Sequence, residues 1–511
     1  MRMRRFLKPL FSKIVLGAIF LILQLALLLF PIMGVYERQV YIDFVAGIIA
    51  AAVIIFEINR ATDSGFKLIW IAIIALFPVF GVFLYIYVHS DVIMFNIRRK
   101  SGFLTNRISE VTEKLGVDAD DIKKNAKDEF GIFNYLATKA QAPCFNCSDI
   151  EYFPLGEDMF ERLMEDIKSA KKYIYLEFFI INEADHMWKR MLSLLCAKAK
   201  NGVDVRLVYD AMGCLTTVRR NFSERMREKG IKCHPFSPVK PFVSTYHNNR
   251  DHRKMAIIDG KCAYTGGVNI ADEYINRKVR FGHWKDTAIR VEGSAVMGFL
   301  VMYFKIWRFV CNDGAPREKS MDFCASDKYN GYIVPFDDTP LDEHYVTRDV
   351  YLYIINSARN YVYINTPYLI LDDALTHALK FAVQRGVDVK ICMPHIPDKR
   401  YAFALGRSYY PELLKSGVKI YEYKRGFLHA KSTVSDDMRA YVGSANYDYR
   451  SLYLHYECGV YLYENPVIHV LKNDYEKTLL DCMAFTMEEY KKLNVFYRCL
   501  GKLLRIFAAL M

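Results

Sequence analysis

Ser169-Ala170-Lys171-Lys172-Tyr173-Ile174-Tyr175-Leu176 returns 188 residues later as Ser357-Ala358-Arg359-Asn360-Tyr361-Val362-Tyr363-Ile364. In each copy the end of a helix runs into a strand of alternating aromatic and β-branched residues. A helical stretch follows both, and then Gly202-Val203-Asp204-Val205 matches Gly386-Val387-Asp388-Val389. There the Gly closes a helix and the next apolar residues open a buried strand. A third match pairs Lys229-Gly230-Ile231-Lys232 with Ser416-Gly417-Val418-Lys419. Strand–helix–strand order implies right-handed crossovers and predicts a largely parallel sheet in each half. The expected fold class is α/β, two homologous lobes forming a pseudo-dimer, with the groove between them as the natural ligand site. The lobes are expected at residues 151–330 and 331–511.

The residues with chemistry to offer fall at matching places in the two lobes. Lobe one carries His252-Arg253-Lys254-Met255-Ala256-Ile257-Ile258-Asp259, and lobe two carries His429-Ala430-Lys431-Ser432-Thr433-Val434-Ser435-Asp436. Both read HxKxxxxD. Residues two apart in a strand share a face, so each His projects with its Lys, about 7 Å apart. A nucleophilic nitrogen beside a fixed cation suits attack on a phosphodiester, because the Lys offsets the anionic charge that repels nucleophiles. An Asn follows each His by 17 residues, in Gly266-Gly267-Val268-Asn269 and Gly443-Ser444-Ala445-Asn446. The small residues permit close backbone approach, and the amide can donate to a phosphoryl oxygen. Asp286 lies 34 residues after His252, and Glu457 lies 28 after His429. Such carboxylates can hold an imidazole in one tautomer and stabilise its charge. Asp259-Gly260 ends an apolar strand and reads as a hairpin turn, so Asp259 and Asp436 are candidates for support as well as for catalysis.

Apolar content is concentrated at the N-terminus. The 511 residues are 52% hydrophobic and 25% charged, which excludes a disordered or collagen-like chain. Three apolar runs lie at roughly Ile14–Val35, Tyr41–Ile58 and Phe66–Val88, each of a length suited to a ~30 Å hydrocarbon layer. The first has no small-residue cleavage site and further apolar runs follow it, which argues for retained membrane helices over a signal peptide. Residues 1–95 are therefore expected to anchor the chain with two or three hydrophobic helices, and 96–150 to form a linker. Arg2, Arg4, Arg5, Lys8 and Lys13 precede the first run, while Arg98, Arg99, Lys100 and Arg107 follow the third. The positive-inside rule places both clusters in the cytoplasm, which needs an even number of crossings; three crossings break it unless one run is re-entrant or interfacial. A multi-pass protein of the cell membrane with cytoplasmic lobes is expected. Net charge of +12 favours an anionic partner. Twelve scattered cysteines are too sparse for a disulfide scaffold, and Cys144-x-x-Cys147 lacks a second pair at zinc spacing. The C-terminal Phe496-Tyr497-Arg498 and Lys502-Leu503-Leu504-Arg505-Ile506-Phe507 form a basic apolar tail, suited either to an anionic membrane face or to burial.

The duplicated motif with its trailing GGxN and GSxN resembles the phospholipase D superfamily from about Tyr152 to the C-terminus. The closer resemblance is to bacterial cardiolipin synthases. It rests on Leu207-Val208-Tyr209-Asp210-Ala211-Met212-Gly213, Asn365-Thr366-Pro367-Tyr368, and Tyr449-Arg450-Ser451-Leu452 ahead of Glu457. Pro78-Val79-Phe80-Gly81-Val82-Phe83-Leu84-Tyr85 is similar to that family's N-terminal helices. Two residues depart from it: Cys214 stands where a Ser is usual, and Lys285 where a His is common. The resemblance implies transfer of a phosphatidyl group between two phosphatidylglycerols through a phosphohistidine, with release of glycerol. It implies His252 as nucleophile and His429 as general acid and base, although the near symmetry of the motifs leaves the reverse open. Lys254, Lys431, Asn269 and Asn446 would hold the phosphoryl oxygens, with no metal or other cofactor. Phosphatidylglycerol and anionic membrane lipid are the expected partners, and no nucleic acid is expected. Water, or another alcohol such as serine or ethanolamine, remains an alternative acceptor. A nuclease would share the motif but not the membrane region, and a decayed scaffold would not keep both His-x-Lys pairs.

Overall fold

The computed structural model describes Ile22 and residues 36–89, 116–237, 248–311, 329–342 and 344–510. By its internal contacts the chain divides into Met1–Ile97, Val239–Asn248 and Leu503–Met511 as one unit, and Arg98–Pro238 with Asn249–Lys502 as the other.

The first unit contains helices α1 (Tyr36–Ile58), α2 (Ser64–Leu76) and α3 (Pro78–His89). Among the described residues no helix is long and apolar enough to cross a membrane. Apart from Ile22, the first apolar run lies outside the described residues. The third is folded back on itself. Phe77 ends α2, and Pro78, which lacks an N–H, starts α3 at the position a helix tolerates best. The rings of Trp70 and Tyr85 then meet at 5.2 Å, and those of Trp70 and His89 at 5.5 Å. Gly81 makes the close approach possible, since a Cβ there would stand 2.8 Å from the Ile73 carbonyl oxygen. Ala50, Ile74, Val82 and Tyr85 form the small core of the unit. Glu57 is buried with partners, accepting from Tyr85 Oη at 2.7 Å and from Arg60 at 3.1 Å.

The second unit is α/β and holds two sheets. The first runs β1 (Ser148–Phe153), β8 (Ala288–Gly293), β6 (Cys262–Gly266), β5 (Lys254–Ile258), β2 (Tyr173–Phe178), β3 (Asp204–Asp210) and β4 (Lys232–Phe236) in spatial order. The second runs β9 (Tyr332–Asp338), β18 (Glu457–Tyr463), β16 (Arg439–Gly443), β15 (Ser432–Ser435), β10 (Tyr361–Asn365), β12 (Asp388–Pro394), β13 (Lys419–Tyr423) and β19 (Cys482–Phe485). The order is the same in both, with β19 added as an edge strand. The expectation of largely parallel sheets is corrected: β2, β3 and β4 are parallel, as are β10, β12 and β13, and every other pairing in the two sheets is antiparallel. Helical crossovers enforce parallel pairing only where they occur, and beyond them each lobe turns by hairpins such as Ile258 to Cys262.

Within the expected linker 96–150, the part described is docked on the second lobe. Phe133 packs its ring on Tyr332, Tyr461 and Tyr463 of the second lobe. Glu129, wholly buried, accepts from Arg439 Nε at 2.7 Å and Tyr461 Oη at 2.6 Å. A polar composition thus covers a segment tied down by one buried ion pair. Cys144 and Cys147 are free thiols.

Candidate active site

His252 lies just before β5 and Lys254 opens it; His429 lies between β14 (Gly426–Leu428) and β15. The lobes meet here through backbone pairing. His252 N–H donates to the Tyr456 carbonyl at 2.9 Å, and His429 N–H donates to the Lys285 carbonyl at 2.7 Å. β14 also pairs in parallel with β7 (His283–Lys285) of the first lobe. Tyr456 and Lys285 are the residues immediately before Glu457 and Asp286. The backbone register therefore delivers each carboxylate to the imidazole of the opposite lobe.

His252 Nδ1 lies 2.9 and 3.1 Å from the two Glu457 oxygens, and His429 Nδ1 lies 2.7 Å from Asp286 Oδ2. Counting along the chain groups each carboxylate with the His of its own lobe; the structure pairs them crosswise. With Nδ1–H donating to the carboxylate, each Nε2 keeps its lone pair. Both carboxylates are fully buried, and both imidazoles and both Lys side chains are nearly so.

The small residues after β6 and β16 support these carboxylates. A Cβ on Gly267 would fall 2.0 Å from Asp286 Oδ1, so only Gly lets that carboxylate in. In lobe two the equivalent residue is Ser444, whose hydroxyl donates to Glu457 Oε2 at 2.5 Å. Trp284 Nε1 donates to Asp286 Oδ2 at 3.3 Å, and its ring packs 5.1 Å from that of His429.

Burial pushes His252 well below the usual imidazole range, against the pull of Glu457, with the Lys254 ammonium adding to the depression. Burial and Lys431 bring His429 down to about 4. Burial lowers Lys254 to about 8 and Lys431 to about 7. Burial alone would raise the two carboxyls. His429 and Lys431 overcome this for Asp286, and His252, its hydrogen bond, His455 and Lys254 do so for Glu457, so both stay ionised. Each half of the site is thus a neutral imidazole on a carboxylate, beside an ammonium that is held only weakly.

Other residues expected at the site have different work. Asp259 accepts from the backbone N–H groups of Lys171, Lys172 and Tyr173 at 2.6–2.8 Å. Asp436 accepts from Arg359, Asn360 and Tyr361 at 2.7–2.9 Å. Both have positive φ, near +53° and +54°, which Asp tolerates in a turn. They sit past the far end of their strands, roughly 20 Å from the His at about 3.3 Å per residue. Of the two roles expected for them, support is the one these contacts serve: they fasten the repeated Lys-Tyr and Asn-Tyr strand starts. Asn269 has both edges of its amide engaged, accepting from Ile180 N–H at 3.0 Å and donating to Tyr274 Oη at 2.8 Å. Tyr274 in turn faces His429 with a ring separation of 5.4 Å. Asn446 donates to Asp448 Oδ2 at 3.0 Å, while its Oδ1 is buried without a hydrogen-bond partner among the described residues.

Sequence reading passed over the role of Arg253 and left those of Cys214 and Lys285 open. Arg253, wholly buried between His252 and Lys254, pairs with Glu177 at 2.6 Å, Asp251 at 3.1 Å and Asp337 of the second lobe at 3.6 Å. A Glu in the middle of the buried strand β2 was the signal for it. Cys214, which departs from the usual Ser, accepts from Ile181 N–H at 3.2 Å and donates to the Phe179 carbonyl at 3.5 Å, behind the ring that packs on His252. Lys285, the other departure, is held by Asp474 at 2.7 Å and by the Pro154 carbonyl.

Two lobes of one strand order, each bringing a His-x-Lys to their shared boundary, are the architecture of the phospholipase D superfamily. Residues 163–284 and 351–479 match the family described as cardiolipin synthase, PLD-like domain, and residues 45–88 match phospholipase D-nuclease N-terminal. Cardiolipin synthase from Alkalihalophilus pseudofirmus is 31% identical over 476 residues, 92% of this chain and 93% of that protein. An uncharacterized protein of Streptococcus mutans is 39% identical over 461 residues, covering 90% and 99%. Among solved structures, phosphatidylserine synthase of Haemophilus influenzae superposes with a TM-score of 0.56 at 16% identity, over 74% of this chain and 97% of that one, and so shares the fold. The chain belongs to the cardiolipin synthase family.

Proposed function

We propose that this protein makes cardiolipin, transferring the phosphatidyl group of one phosphatidylglycerol to the free hydroxyl of another. The observation that carries the reading is the crossed pairing of each His-x-Lys with the carboxylate of the opposite lobe, which gives a single composite site with two imidazoles. His252 Nε2 attacks phosphorus, the P–O bond to glycerol breaks, and His429 supplies the proton that glycerol carries away. The second phosphatidylglycerol then gives its hydroxyl proton to His429, its oxygen attacks phosphorus, and the P–N bond breaks. Lys254 and Lys431 neutralise the phosphoryl oxygens through both steps. The arriving anion raises His429 from its resting value near 4 and so lets it hold the proton it must donate. His252 is taken as the nucleophile on the family resemblance.

The substrate is a membrane lipid, and the N-terminal unit suits a membrane anchor. Phe44, Ile48, Ile55 and Phe56 of α1 expose large apolar surfaces that hydrocarbon would cover. An even number of crossings would put both basic clusters on one side of the membrane. Both basic clusters and the lobes then face the cytoplasm, as the positive-inside rule requires. No nucleic-acid partner is needed for this reading.

Purified protein in mixed micelles with labelled phosphatidylglycerol as the only phospholipid tests it. Equal amounts of cardiolipin and glycerol are expected. Phosphatidic acid in place of cardiolipin would mean that water is the acceptor and would overturn the synthase reading.

A further inference from the structure

We propose that His252, His455 and Glu457 form a capture site for a borderline divalent cation, Zn²⁺ in particular, whose binding switches transfer off. His455 takes no part in the mechanism above. Its imidazole is 8% exposed, and neither ring nitrogen has a hydrogen-bond partner among the described residues. It stands 5.4 Å from the His252 ring, centroid to centroid. Its Nδ1 is 3.8 Å from Glu457 Oε1, too far for a hydrogen bond, while His252 Nδ1 is 2.9 Å from that same oxygen. One donor atom from each of the three residues lies within 4.8 Å of the other two.

A shared metal would bridge His455 and Glu457, which no hydrogen bond joins at 3.8 Å. Bonds of about 2.0–2.1 Å in a tetrahedral zinc site space the ligands roughly 3.4 Å apart, between the two values observed here. Ser444 holds the other carboxylate oxygen, Oε2, so Oε1 keeps lone pairs to give. Two imidazoles and one carboxylate form a known zinc ligand set with a fourth position open, and imidazole donors favour Zn²⁺ over Mg²⁺ or Ca²⁺. Among the described residues this is the one cluster of three such donors, and the matching His429–Asp286 pair of the other half lacks a third.

Binding sends the proton shared by His252 Nδ1 and Glu457 into solvent, and the metal takes its place. A His252 tied to a cation has a less basic Nε2. The positive charge formed on attack then sits beside a metal rather than beside a carboxylate. Both effects oppose the first step.

The site is tested on the purified full-length protein in detergent, stripped with chelator. Equilibrium dialysis with Zn²⁺, and the visible spectrum of tetrahedral Co²⁺, should report one ion per chain. Transfer should fall as that ion binds and return when chelator is added. His455→Asn, and His455→Gln as a second variant, should weaken the ion by more than the roughly 10–100-fold lost with an outer-shell partner. Zn²⁺ sensitivity should fall in parallel, each variant being compared with its own metal-free rate. An unstripped ion in either folded variant at wild-type affinity, no ion in the wild type, or a bound ion without inhibition would each overturn the proposal. Dialysis and the Co²⁺ spectrum read binding without assuming the transfer reaction, so failure of the site and failure of the synthase reading are distinguishable.

Discussion

Glu457 and Asp286 decide what the two imidazoles can do. Each sits at the start of a segment whose preceding carbonyl already holds the backbone N–H of the opposite His. Glu457→Gln keeps shape and removes charge, so His252 loses both its fixed tautomer and the partner for its positive charge. A fall in kcat of roughly 10³–10⁴ is expected, as for the carboxylate of a serine-protease triad, with the melting curve little changed. An unaltered kcat would remove Glu457 from the mechanism. The two Lys predict a pH effect. Burial brings Lys431 down to about 7 and Lys254 to about 8. A phosphodiester anion favours the ammonium forms, so above pH 7 binding must take up a proton, and above pH 8 two. Affinity for a non-reactive headgroup analogue should be flat below pH 7 and fall about tenfold per unit between 7 and 8. Calorimetry in buffers of different ionisation heat checks the proton uptake; pH-independent affinity contradicts it. At this scale the doubled motif marked both His-x-Lys pairs as candidates, and offsets along the chain marked the carboxylates. Their pairing was not legible, because an offset along the chain says nothing about which lobe supplies the partner. His455 was missed for the same reason: it lies beside His252 only after the lobes meet.

At the scale of elements, Asp259 and Asp436 each tie a hairpin end to the start of the strand that pairs with it. Asp259→Ala strips a charged acceptor from three backbone N–H groups, two of them at exposed positions that water can serve. A loss of stability on the order of 1–3 kcal/mol is expected in denaturant titration, with the folded protein still active. Full stability with lost transfer would instead return Asp259 to the chemistry. The hairpin of α2 and α3 makes a sharper claim. Trp70 and His89 face each other across it, whereas one continuous helix would hold them about 28 Å apart. Trp70→Cys with His89→Cys should be joined by a short cross-linker in membranes; failure to join, with both thiols reactive, would favour a straight helix. Sequence hydropathy saw an unbroken apolar run because Phe77-Pro78 changes direction without adding charge. The sheets show a related limit. Helix-linked strands were readable as parallel from the repeats, but the antiparallel majority comes from short hairpins whose only marks are residues such as Asp259-Gly260.

At the scale of the molecule, duplication was the most legible feature, since two similar sequences in one chain must fold alike, and the two sheets do share one strand order. The segment before the lobes was the least legible. Lys- and Asp-rich residues suggested a linker, yet Glu129 and Phe133 dock it on the second lobe through contacts that involve residues more than three hundred positions away. Because each imidazole depends on the other lobe, neither lobe alone should catalyse transfer. The most direct measurement uses His429→Ala and a phosphatidyl p-nitrophenol, whose leaving group departs without a proton. His252 should then release one equivalent of p-nitrophenol per enzyme and stall, with the labelled phosphatidyl group on His252; adding Glu457→Gln should slow that burst. No burst, or label on any residue other than His252, would contradict the account.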